Sequence, residues 1–70
     1  MIKIMFFGKY SDVYGSEKHV SIEGVTVGQL LEQLHIYDAY MVAINGNVVP
    51  LNAKLNDGDE VAVMPTVSGG

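Results

Sequence analysis

One short amphipathic helix limits the folds open to these seventy residues. Val27, Leu30, Leu31 and Leu34 fall at the i, i+3, i+4, i+7 spacing that gathers four side chains on one helical face. Thr26 in front of them and Gln29 three residues later form a capping box, with Val25 and Leu30 as its hydrophobic staple. Gly28 inside the stretch weakens it by about 1 kcal/mol relative to alanine. Such a helix needs an apolar surface to lie on, and the remaining apolar residues are patterned as strands.

Residues 1–7 are rich in β-formers and stop at Gly8, with Ile2, Ile4 and Phe6 on one face and Lys3, Met5 and Phe7 on the other. Small and polar residues through Ser16 are expected as a loop. Residues 17–22 return as a second, antiparallel strand with Val20 and Ile22 inward. After a connection over 35–40, residues 41–44 form a strand and Asn45-Gly46 a tight hairpin turn, with Val48 and Val49 returning. Residues 56–59 turn again. Residues 60–64 are the last strand, which Pro65 ends by removing a ladder donor. The order ββαβββ predicts an α+β fold: a mixed sheet of four to five strands with one main helix on one face, the first and last strands being central neighbours. That is a β-grasp, or ubiquitin-like, arrangement over residues 1–64, followed by a flexible tail at 65–70.

Seventy residues with 49% hydrophobic and 17% charged side chains suit one small folded domain, too thin in its core for a deep active site of its own. The chain has no cysteine, hence no disulfide, thiolate nucleophile or Cys-type zinc site. A net charge of -4 with scattered lysines (Lys3, Lys9, Lys18, Lys54) argues against nucleic acid as a partner. The opening apolar run is too short for a signal peptide core or a membrane span, so a soluble, cytoplasmic protein is expected.

No catalytic constellation can be assembled. His19 and His35 lack ligand spacing and are expected at the surface, and residues 57–60 lack the alternation of a calcium loop and are expected as turn chemistry; no metal is assigned. Gly8, Gly15 and Gly24 build no phosphate loop. Two features remain. If the inward set is Ile2, Ile4, Phe6, Val42, Ile44, Val61 and Val63, the other face of the sheet carries Met1, Lys3, Met5, Phe7, Met41, Ala43, Ala62 and Met64, with all four methionines. Methionine suits adaptable apolar surfaces, and such a patch reads as a docking face with Met5, Phe7, Met41, Met64, Pro65 and Val67 as its contacts. The second is Gly69-Gly70. Without side chains such a pair can thread a narrow channel and present a carboxylate inside another protein.

Leu55-x-Asp57-Gly-Asp-Glu-Val-Ala62 running into Met64-Pro-Thr-Val-Ser-Gly-Gly70, with Met5-Phe-Phe-Gly8 at the start, resembles the small subunit of molybdopterin synthase, in the MoaD/ThiS sulfur-carrier superfamily. The resemblance implies a β-grasp fold and a chain that is no enzyme by itself. It implies that the Gly70 carboxylate is adenylated by an ATP-dependent, E1-like activating enzyme and converted to a thiocarboxylate with sulfur from a donor system. Gly69 allows close packing in the partners' channels. The tail then enters the large synthase subunit, where sulfur passes to cyclic pyranopterin monophosphate in molybdenum cofactor biosynthesis. ATP belongs to the activating enzyme, and this chain itself binds no cofactor. Thr66 stands where the family often has a second proline, and residues 42–50 look more like the carrier of thiamin thiazole synthesis. A protein modifier that joins Gly70 to a lysine, and a non-covalent interaction module with an inert tail, are the other readings.

Overall fold

The computed structural model describes residues 1–22 and 24–65. Along the chain lie β1 (Ile2–Phe6), α1 (Lys9–Tyr14), β2 (Glu17–Val20), α2 (Val27–Gln33), β3 (Ala39–Ile44), β4 (Asn47–Val48) and β5 (Glu60–Pro65). The strands form one sheet in the order β2-β1-β5-β3-β4. β1 and β5 are parallel at its centre, and the other pairings are antiparallel. This is the β-grasp arrangement, with α2 across one face. Among the described residues no helix is long and apolar enough to cross a membrane.

The core is the inward set. Ile2, Ile4, Val61 and Val63 are fully buried beneath Val27, Leu30 and Leu31 of α2, Phe6 and Val42 are nearly so, and Ile44 packs at the edge. Ala43 belongs to the opposite face yet is also buried, because its small side chain sits between Val48 and Ala62 on the flanking strands.

The start of α2 is held as its spacing predicts, and more firmly. Thr26 Oγ1 accepts from Gln29 N–H at 3.2 Å while Gln29 Oε1 accepts from Thr26 N–H at 2.9 Å. Two further end donors reach the following loop: Val27 N–H to Ala53 O at 2.9 Å and Gly28 N–H to Leu51 O at 2.8 Å. That loop passes so close that a Cβ on Gly28 would lie 3.4 Å from Leu51 O, so this glycine exchanges helix propensity for a backbone contact. At the other end His35 N–H bonds Glu32 O and Ile36 N–H bonds Leu31 O, a Schellman stop with Leu31 and Ile36 as its buried apolar pair. The stop puts His35 at φ 60°, in the left-handed region that glycine favours. His19 and His35 are both exposed.

Residues 9–14, expected as loop, are the helix α1. Its anchors are tertiary. Tyr10 is buried and donates its hydroxyl to Asp38 Oδ1 at 2.6 Å, Tyr14 donates to Leu34 O, and the Tyr14 ring stacks on Phe6 at 5.0 Å. Lys9 pairs with the same Asp38. Six residues cannot sustain a helix alone, and no apolar repeat announces one. The last strand runs through Pro65, one residue further than expected, because β1 has ended before that level and needs no amide from it. β2 ends at Val20, but Val20 and Ile22 both pack on the core as expected. β4 ends at Val48, although Val49 N–H still bonds Val42 O.

Two outcomes follow for stability. Burial, and then the bond to the Asp38 carboxylate, push the Tyr10 phenol up from 10.0 to about 12. The folded state therefore holds that proton more tightly than the unfolded chain, and the stability is present below pH 10 and lost as pH rises towards 12. In urea titrations from pH 9 to 12, wild type should lose on the order of 2–3 kcal/mol relative to Tyr10→Phe. His35→Gly should raise stability by about 0.5–1 kcal/mol, seen as a higher urea midpoint with unchanged slope.

Candidate docking face and chain exit

The uncovered face of the sheet is divided in chemistry. Cross-strand partners share a face, so Lys3 lies opposite His19, and Met5 opposite Glu17 on one side and Ala62 on the other. Glu17 accepts from His19 Nε2 at 2.8 Å and lies 3.8 Å from Lys3 Nζ. The imidazole first, and then the Lys3 ammonium, hold the Glu17 carboxyl below its usual range. This is the polar margin.

The opposite end is apolar. Phe7, Gly8, Tyr40, Met41, Met64 and Pro65 line a shallow groove of about 370 Å³ at the end of β5, where the chain goes on towards Gly70. Phe7 is 46% exposed despite its size, whereas the three methionines Met5, Met41 and Met64 are half-buried. Of the residues predicted as docking contacts, Phe7, Met41, Met64 and Pro65 thus meet in one groove. Met5 continues the face beside Ala62. Val67, Gly69 and Gly70 lie outside the described residues.

Tyr40 was not expected there. Strict alternation from Met41 would turn its ring inward, but the register steps from Ala39↔Pro65 to Met41↔Met64, two residues against one. That bulge leaves Tyr40 65% exposed on the groove side with Met41. Gly8 is the other addition. Its φ of 59° and ψ of -135° form a glycine conformation that lets the chain leave β1 for α1 beside the Pro65 ring.

The acidic turn is structural. Asp59 Oδ2 accepts from Asn56 N–H at 2.8 Å and Oδ1 from Asn45 Nδ2 at 3.1 Å, while Asn45 Oδ1 accepts from Glu60 N–H at 3.0 Å. These bonds tie the hairpin turn to the start of β5, and among the described residues no cluster suited to a metal ion occurs. A smaller recess of about 210 Å³ lies on the α2 side, against Leu31 and Tyr37. The described residues thus contain an apolar groove at Pro65, and the groups it offers are apolar side chains and backbone.

Residues 4–70 match the ThiS family. The molybdopterin synthase sulfur carrier subunit of Mycobacterium tuberculosis is 32% identical over 81 aligned residues, covering 99% of this chain and 96% of that protein. The subunit of the same name from Escherichia coli K12 is 32% identical with 100% of both chains covered. Among solved structures, SAMP1 of Haloferax volcanii superposes with a TM-score of 0.80 at 28% identity, over 99% of this chain and 98% of that one. A match over nearly the whole chain, with two full-length relatives and a shared β-grasp fold, means that the chain belongs to the ThiS family, within the MoaD/ThiS superfamily of ubiquitin-like sulfur carriers.

Proposed function

We propose that this chain is the sulfur-carrying small subunit of a molybdopterin synthase, with Gly70 as the carrier. The observation that supports this best is the full-length similarity to two proteins of that name, in a family match that extends to residue 70. In this reading the chain is not an enzyme on its own. The active-site groups belong to a cytoplasmic activating enzyme that uses ATP and to a large synthase subunit, and the apolar groove docks the domain on each in turn.

The chemistry follows from the weakness of a carboxylate as an electrophile. Its oxygen attacks the α-phosphorus of ATP and pyrophosphate leaves, giving an acyl adenylate whose AMP is a good leaving group. Sulfur at the oxidation level of hydrosulfide then attacks the carbonyl carbon, AMP departs, and a thiocarboxylate remains on Gly70. Its sulfur is a soft nucleophile, delivered to cyclic pyranopterin monophosphate inside the large subunit. The carried group sits on the main chain, so a chain without cysteine can do this work. Gly69 keeps the approach narrow, and Pro65 stiffens the departure from the sheet.

Incubated with a cognate activating enzyme, ATP and a sulfide source, the chain should gain a mass equal to replacing one oxygen by sulfur, localised to Gly70 by fragmentation. Loss of that sulfur to the pterin precursor plus large subunit supports this pathway. Transfer to a thiazole synthase would move the chain to thiamin synthesis, and an isopeptide to lysine would make it a modifier. Deleting Gly70 should eliminate the mass gain and leave the thermal midpoint unchanged, since the buried core residues run from Ile2 to Val63.

Phe7→Asp probes the groove. With nearly half of its ring exposed, Phe7 should cost about 1 kcal/mol of stability or less when replaced. Binding to the activating enzyme, followed by calorimetry, should weaken by about thirtyfold or more, as for a central aromatic contact worth about 2 kcal/mol. A large drop in thermal midpoint would instead put Phe7 in the core.

A further inference from the structure

We propose that Gly8 is a positioning residue of the carrier reaction: its missing side chain is the seat for the Pro65 ring and sets where the tail leaves the domain. This rests on the carrier reading above. Gly15, Gly24, Gly46 and Gly58 also have positive φ, yet a Cβ built on any of them meets nothing within 4 Å. Their conformation alone accounts for them. Gly8 alone among the described glycines combines positive φ with a severe clash, a built Cβ lying 2.7 Å from Pro65 Cγ and 3.4 Å from Cδ.

The backbone on either side has little freedom to retreat. Gly8 O accepts from Ser11 N–H at 3.1 Å and Ser11 Oγ at 2.7 Å, and Phe7 N–H bonds Val63 O at 3.2 Å. On its far side Pro65 pairs with Ala39 of β3. A methyl group at position 8 would therefore displace the ring by about 0.7 Å to restore the 3.4 Å of ordinary contact. Pro65 has its φ locked by that ring, and only residues 66–70 separate it from the reacting carboxylate. A segment of that length spans at most about 3.5 Å per residue, so a domain docked by its groove must start the tail at the right place and in the right direction. Misplacement on this scale can cost up to about a hundredfold in rate while binding persists.

The test is pyrophosphate exchange into ATP by a cognate activating enzyme at varied carrier concentration, using the full chain. Gly8→Ala should lower kcat about tenfold or more, with KM within about twofold because Phe7, Met41 and Met64 are untouched. Gly8→Ala combined with Pro65→Ala should return kcat to the level of Pro65→Ala alone, since the ring that the methyl group strikes is gone. Wild-type kcat in Gly8→Ala overturns the proposal. So does a double variant slower than Pro65→Ala alone, which would leave strain at position 8, and not the ring, as the cause. If Gly8→Ala fails to fold by circular dichroism, Pro65→Ala decides: a kcat lowered about threefold or more, whatever KM change the loss of a groove contact brings, supports the seat, and an unchanged kcat overturns it. Absence of exchange with the wild-type chain, under an enzyme active on its own carrier, removes the carrier reading and this proposal with it. Normal exchange in both wild type and Gly8→Ala removes only the proposal.

Discussion

Ile2, Ile4 and Phe6 lie beside Val61 and Val63 in a parallel pair at the centre of the sheet, all 3% exposed or less, and α2 rests on them. A shift of one residue in that pairing would turn every inward chain outward, so burial of this set fixes the register. The same register decides what the uncovered face carries. Lys3, Met5 and Phe7 are outward because Ile2, Ile4 and Phe6 are inward, and Ala62 and Met64 join them for the same reason. Core and uncovered face are one choice made once.

That central pair also joins the two ends of the described chain. β1 gives way to Gly8 beside the last residue of β5, and the groove forms where Phe7 and Gly8 ahead of α1, the β3 bulge and Pro65 converge. α1 holds its place through Asp38, which receives both Lys9 and Tyr10; the ammonium first and the phenol second hold this carboxyl below its usual range. Asp38 in turn stands just before β3, whose bulge exposes Tyr40. The elements around the chain exit are thus linked to one another by side-chain contacts.

For function, this division of labour fits a carrier. Nothing in the described residues combines a base, a nucleophile and a binding cavity, and a domain this small has little room for one. An apolar groove beside the tail's root supplies contact area, and the family match runs through that tail to Gly70. The groove's exposed surface is made of a few apolar groups, chiefly Phe7 and Tyr40 with the half-buried Met41 and Met64 beside them.

Interactions that are local or periodic are legible in the order of the residues. The capping box at Thr26 and Gln29 depends on residues three apart, the apolar stripe of α2 on a turn of helix, and the inward and outward sets on alternation, so each can be read without a fold. That Phe7, Met41 and Met64 share the uncovered face is legible by the same alternation, and the family resemblance rests on motifs near the two ends. Features whose partners lie far away along the chain emerge only on folding. α1 is a helix because Tyr10 finds Asp38 and Tyr14 finds Leu34 and Phe6, and six residues have no helical tendency strong enough to announce it. Tyr40 joins the groove through a bulge that breaks the alternation from which faces are inferred. Gly28 and Gly8 look alike as weak points in a string of letters; only packing reveals a loop carbonyl over one and the Pro65 ring over the other, because a missing side chain has meaning only where something occupies its space.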